Sequence, residues 1–166
     1  MEAETILGVY AQLSVVIVGL SGIAGVIGHR ATGNWLVADY YRFWTMMSAG
    51  FLLLFQSILP LVLHHFSVAE RAVWGWSSAV IALLVCGQIY WRFSNVRRVG
   101  TDARFLWAFW WFGTVLQVSA AIVLILNAAG LGFGRTFGPY LLAMSLVLAL
   151  SCLAFIRLLI VALPRS

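Results

Sequence analysis

Residues 43–63 read FWTMMSAGFLLLFQSILPLVL and contain no charged side chain. The hydrocarbon core of a bilayer is about 30 Å thick, and about 20 apolar helical residues are needed to cross it. A lone strand in lipid would leave its backbone N–H and C=O groups unpaired, whereas a helix pairs them internally. This stretch therefore predicts a transmembrane α-helix.

Four other stretches share this length and apolar character: residues 5–27, 72–91, 105–126 and 139–161. The chain is 63% hydrophobic and only 9% charged, and its mean hydropathy is +1.01. Soluble domains carry roughly 25% charged residues, and a domain of this size could not bury so much apolar surface in water. We expect an all-α integral membrane bundle of about five transmembrane helices, in one domain that covers residues 1–166.

The basic residues are unevenly distributed between the two ends of these helices. All ten are arginine. One side of the membrane would receive only Arg71 and Arg135, and the other would receive the rest: Arg30, Arg42, Arg92, Arg97, Arg98, Arg104, Arg157 and Arg165. Short loops rich in arginine stay in the cytoplasm, so the N-terminus is expected outside and the C-terminus inside. The absence of lysine indicates a GC-rich genome, hence a bacterium and its cytoplasmic (inner) membrane.

The first predicted helix carries Gly19, Gly22, Gly25 and Gly28 at intervals of three residues. Small residues allow two helix backbones in a membrane to approach closely. This glycine seam predicts a helix-packing face. It could pack inside the bundle, or it could bind a second copy or another membrane subunit.

Glutamine and serine side chains are predicted to form a polar layer in the outer half of the membrane. Its members lie at similar depth on three of the helices: Gln12, Gln56, Gln117, Ser57 and Ser119. Polar groups face lipid only at a cost, so they are expected to point inward. They could form interhelical hydrogen bonds or line a small pocket open to the outside. Pro60 removes the backbone hydrogen bond to the carbonyl of Gln56 and frees an acceptor in this layer.

Charged residues are rare inside the predicted spans, which contain no Asp, Glu or Lys. Such residues usually mark proton or ion coupling. Arg157 is the deepest predicted charge, about one turn from the end of the fifth span, and is expected to extend to the interface. Arg92 is assigned to the basic connection 92–104 that follows the third span.

No pattern predicts a catalytic residue, a metal site or a cofactor. His64 and His65 are adjacent on a helix and cannot face one point, which disfavours a metal site with Glu70. The Gly130-x-Gly132-x-Gly134 spacing follows a membrane helix rather than a strand, so it lacks the context of a dinucleotide loop. Nucleic-acid binding is not expected either, because no basic face lies on a soluble module.

Three apolar motifs resemble small multi-span bacterial membrane proteins that are otherwise uncharacterised. They are residues 51–65 (FLLLFQSILPLVLHH), residues 139–143 (PYLLA) and residues 155–159 (FIRLL). The resemblance implies a bacterial multi-span protein and supplies no functional residue.

Taken together, these patterns predict a non-enzymatic membrane protein, an accessory or assembling subunit that acts through helix packing. Its expected partners are membrane lipids and either copies of itself or other membrane subunits. The alternative is a small-solute transporter or channel that uses the polar layer. A membrane enzyme or redox subunit is the least favoured class.

Overall fold

The computed structural model describes residues 2–32, 37–66, 68–99 and 107–162, and it describes side chains within 2–23, 40–41, 43–66, 68–96 and 107–156. The described chain is all-helical. Its five helices are α1 (Glu2–Thr32), α2 (Val37–His65), α3 (Glu70–Val99), α4 (Trp107–Ala129) and α5 (Phe137–Ala162). The predicted all-α fold with five helices is confirmed.

Each helix contains a segment long and apolar enough to cross a membrane. The segments are Glu2–Ile23, Phe43–His65, Glu70–Val96, Trp107–Ala129 and Phe137–Ile156. The helices are longer than most of the predicted spans, most clearly at α3, which continues to Val99 instead of ending near Trp91. Hydropathy locates the apolar segment, and backbone hydrogen bonding continues a helix into polar sequence beyond it.

Helices that follow one another along the chain run antiparallel; for example, Ser78 near the start of α3 contacts Asn127 near the end of α4. Helices α1 and α5 start at the same end and run parallel, and Tyr10 contacts Ser145 between them. The bundle thus has two ends. We call the end with Glu2, Glu4 and Glu70 the acidic end, and the opposite end, where α2 and α4 begin, the basic end. Helix α1 packs mainly on α2 and touches α5, while α2, α3, α4 and α5 enclose the core.

The apolar core is formed by side chains from all five helices, including Leu7, Leu53, Val85, Leu124 and Met144. Helix α2 packs tightly on α1 at Gly50. A Cβ atom placed on Gly50 would lie 2.8 Å from Cγ2 of Val18. The absence of a side chain at Gly50 is therefore what allows α1 to pack on α2.

The loop from α4 to α5 turns through left-handed backbone at Gly130, Gly132, Gly134 and Arg135, with φ of 75°, 78°, 65° and 59°. Glycine adopts this region without a Cβ penalty. Arg135, which is not a glycine, donates from Nε to the carbonyl of Ala128 at 3.1 Å. The glycines thus serve a tight interhelical turn.

Candidate functional site

A chain of polar contacts crosses the bundle from α2 through α3 to α4. Gln88 donates from Nε2 to the carbonyl of Ser48 at 3.0 Å, and its Oε1 accepts from Nε2 of Gln117 at 2.7 Å. Oε1 of Gln117 accepts from Nη1 of Arg92 at 3.4 Å, and Nη2 of Arg92 donates to the carbonyl of Trp110 at 3.0 Å. We call Ser48, Gln88, Arg92, Trp110 and Gln117 the Arg92 cluster.

Helical spacing places these side chains together. Gln88 and Arg92 are four residues apart on α3, so they share one face of the helix. Trp110 and Gln117 are seven residues, about two turns, apart on α4 and face α3. Gly113 lies between them, and a Cβ at that position would come within 3.2 Å of Nη2 of Arg92. The guanidinium therefore occupies the space left by the missing side chain.

The Trp110 ring lies against the guanidinium. The Cζ atom of Arg92 lies 5.7 Å from the Trp110 ring centroid, and Nε1 of Trp110 donates to the Tyr41 hydroxyl at 3.0 Å. Further rings pack on this pair: Tyr41 stacks on Trp91 with centroids 5.2 Å apart, and Phe93 meets Trp110 edge-on at 5.2 Å. Ring faces attract cations, so the Trp110 ring stabilises the charge of Arg92.

Arg92 does not lie in the connection to which the sequence analysis assigned it. It lies within α3, and only 4% of its surface is exposed. The Gln88–Arg92 spacing of one helical turn was the available signal, but an arginine after an apolar run normally marks the membrane boundary. The side chain of Arg157, the deepest predicted charge, lies outside the described residues.

The predicted polar layer is distributed over several environments. Gln117 belongs to the Arg92 cluster, whereas Gln56 and Ser57 are fully buried on α2. The Ser57 hydroxyl donates to the carbonyl of Leu53 at 2.8 Å. Gln12 is exposed on α1 and Ser119 is half-buried on α4. Within the described residues, no hydrogen bond joins the side chains of Gln56 and Gln117.

Gln56 itself has two different polar environments. Its backbone carbonyl, which Pro60 frees from the helix, accepts a hydrogen bond from the Tyr140 hydroxyl at 2.7 Å. Its side-chain Nε2 and Oε1 atoms are buried and have no hydrogen-bond partner within the described part of the chain. Trp74 Nε1 and Ser77 Oγ on α3 are also buried without a hydrogen-bond partner among the described residues. The half of the bundle nearer the acidic end therefore contains several unpartnered polar atoms.

A cavity of about 230 Å³ opens near these residues at the acidic end. Its walls combine apolar side chains with the ionisable Glu4, His64 and Glu70; the remaining lining residues are Ala3, Leu7, Pro60, Leu61, Val73 and Trp74. A void of this size could hold a small organic molecule. The sequence patterns did not predict it, because it forms where the start of α1 meets the connected ends of α2 and α3, which are about 55 residues away along the chain.

Asn127 is a second polar junction that the sequence patterns did not single out. Its Nδ2 donates to Ser78 Oγ at 2.9 Å and to the carbonyl of Thr136 at 3.1 Å, and its Oδ1 accepts from the backbone N–H of Thr136 at 3.1 Å. These bonds hold the end of α4 to α3 and to the start of α5.

The glycine seam is described at two of its four positions. A Cβ atom on Gly19 or Gly22 would meet nothing within 4 Å. Gly25 and Gly28 lie outside the residues whose surroundings are described. At the two described positions the seam therefore borders open space, and no described side chain of another helix covers it.

Within the described residues, no group of three or more His, Cys, Asp or Glu side chains is placed to hold a metal ion. Cys86 and Cys152 are free and exposed. No protein-family model, curated protein or solved structure matches this chain. Five helices of membrane-spanning length, packed around a partly polar interior, give the chain the architecture of a multi-pass α-helical membrane protein.

Proposed function

We propose that this protein is a non-enzymatic subunit of a larger assembly in the bacterial cytoplasmic membrane, with its N-terminus outside and its C-terminus in the cytoplasm. It acts through helix packing, and α1 is the helix that binds the partner. The partner is a second copy of the chain or another membrane subunit, and lipid surrounds the assembled helices.

The observation that carries this proposal is the uncovered glycine seam on α1. Only 17% of the membrane-length segment of α1 is buried, against 39–44% for the other four helices. Gly19 and Gly22 have open space where a side chain would stand. Glycine is a poor helix former, so its use in a helix is most easily explained by a close backbone contact, and here that contact is left to a partner.

The test is the Gly19→Leu/Gly22→Leu double variant, purified in mild detergent and measured for mass. The new side chains enter open space, so the fold and melting temperature should be retained. They should nevertheless block a close helix contact and reduce the complex to the single chain of 18.3 kDa.

The matched control is Gly8→Leu, which also enters open space on α1 but lies about 16 Å along the helix from Gly19. It should leave the complex intact. A wild-type protein that has the mass of one chain would contradict the proposal, as would a double variant that keeps the mass of the complex.

A second candidate function is transport or binding of a small solute at the acidic end. It is favoured by the 230 Å³ cavity and by the unpartnered Nε1 atom of Trp74 in the cavity wall, because buried polar groups are normally hydrogen-bonded and a solute could supply the partner. The unpartnered amide of Gln56 lies one helical turn from Pro60, which is another residue of that wall. Solute flux into liposomes that is lost in the Gln56→Leu variant would favour this function over the first.

A further inference from the structure

Arg92 is a buried positive charge within a helix segment of membrane-spanning length. The segment is Glu70–Val96, and Arg92 lies about one turn from its basic end. The surroundings of the guanidinium are all neutral: an amide oxygen, a backbone carbonyl, an indole ring and the phenol of Tyr41. Among the described residues, no carboxylate contacts it.

Within the described part of the chain, no negative charge compensates the guanidinium. Arginine is not deprotonated in proteins, so the guanidinium remains a cation even when it is buried. Removing an ion from water is costly, and neutral dipoles and a ring face recover only part of that cost. Charged residues in membrane helices generally face a partner of opposite charge or a functional pathway. Among the residues whose side chains are described, none supplies an anion beside Arg92.

The space for such an anion is present. A cavity of about 30 Å³ is lined by Arg92 together with Tyr41, Thr45, Gly113 and Leu150; Phe109, Leu153 and Ala154 complete its wall. One water requires about 10–15 Å³ by the same measure, so the cavity holds one or two particles of that size. A single halide ion fits within this volume, whereas a whole phosphate or sulfate ion does not.

A donor is also present. Nε of Arg92 is buried and has no hydrogen-bond partner in the part of the chain that the structure describes. Tyr41 and Thr45 of α2 line the same cavity. Gly113 also lines the cavity, and a Cβ there would narrow it and would lie 3.2–3.3 Å from the two terminal guanidinium nitrogens.

We propose that Arg92, together with the cavity bounded by Thr45 and Gly113, binds one monatomic inorganic anion of halide size. The site is independent of the glycine seam, since it lies on α2, α3, α4 and α5 and not on α1. The bound anion balances the buried charge and thereby stabilises the packing of α3 on α4.

The test measures the melting temperature of the purified protein in detergent while chloride replaces a bulky organic anion at constant ionic strength. A ligand that binds the folded state raises stability in a saturable manner, so the melting temperature should rise by a few degrees and then level off. Sulfate and phosphate at the same ionic strength should give no rise, because they exceed the cavity.

Arg92→Gln should raise the half-saturating chloride concentration roughly 10- to 100-fold, because the charged donor is lost. Arg71→Gln, a change to an exposed arginine in the first turn of α3, is the matched control and should respond as wild type does. If Arg92→Gln does not fold, Gly113→Ala tests the site instead, because it keeps the charge of Arg92 and narrows the cavity. This variant should also lose the chloride response.

Three results would overturn the site. The first is a melting temperature that does not depend on chloride. The second is an equal response to sulfate or phosphate, which would indicate a surface or lipid-headgroup site. The third is a chloride response that persists unchanged in Arg92→Gln or Gly113→Ala.

Discussion

At the scale of the residue, Gln56 illustrates how Pro60 changes the hydrogen bonding of the residue four positions before it. Pro60 cannot donate to the carbonyl four residues earlier, so the Gln56 carbonyl needs another donor in a region without water. The Tyr140 hydroxyl of α5 supplies it at 2.7 Å. A break in the hydrogen bonding of one helix is thereby converted into a bond between two helices.

The side chain of Gln56 allows a prediction at the same scale. Both of its amide atoms are buried without partners within the described residues, and each such group costs about 1–3 kcal/mol. If Gln56 only packs, Gln56→Leu should increase the free energy of unfolding by about that amount, because leucine fills a similar volume without polar atoms. Unfolding in detergent measures the change.

The control for this substitution is Gln12→Leu, which replaces an exposed glutamine on α1 and should leave the unfolding free energy nearly unchanged. A Gln56→Leu variant that is clearly less stable than wild type would mean that the amide has a partner, such as a buried water or a solute. That result would favour the second candidate function, transport or binding of a small solute.

At the scale of the element, the contact between α1 and α2 depends on Gly50. A Cβ there would lie 2.8 Å from Val18, which is too close for either helix to accommodate without moving. Gly50→Ala should therefore destabilise the protein by about 1–3 kcal/mol, as overpacked cores generally do. The decrease should appear in thermal unfolding measured in detergent.

Gly87→Ala is the matched control for Gly50→Ala. Gly87 lies in the middle of α3, and its Cβ would meet nothing within 4 Å. Because alanine is the better helix former, this substitution should be neutral or stabilising by up to about 1 kcal/mol. If both alanine variants behave alike, the close approach of α1 to α2 is not what Gly50 provides.

At the scale of the whole molecule, the uneven distribution of arginine predicts the direction of insertion. The acidic end should face outward and the basic end should face the cytoplasm. In a Cys86→Ser/Cys152→Ser background, a single cysteine at Leu131, which is 63% exposed in the α4–α5 loop, should react in intact cells with a membrane-impermeant maleimide. A single cysteine at Ser166 should react only after the cells are lysed.

The reverse labelling pattern would contradict this orientation. Equal labelling of both positions in intact cells would indicate that the chain inserts in both directions. The labelling of each cysteine in lysed cells is the control, because it measures how readily the thiol reacts once the membrane is no longer a barrier.

The sequence alone determined that the chain forms five helices, because long runs such as residues 43–63 can pair their backbone groups in hydrocarbon only as helices. It also showed that Pro60 frees the carbonyl of Gln56, since that effect is local to one helix. It could not show that the Tyr140 hydroxyl donates a hydrogen bond to this carbonyl. Nor could it show that Gln117 bonds to Gln88 and Arg92 while Gln12 is exposed.

These pairings were decided by tertiary structure, because most positions in a uniformly apolar helix look alike in sequence and only packing selects the inward face. Arg92 is the clearest case. An arginine after an apolar run marks a membrane boundary by composition, but the space beside Gly113 and the ring of Trp110 make burial of its side chain possible. Such a space exists only once α3 and α4 are packed together.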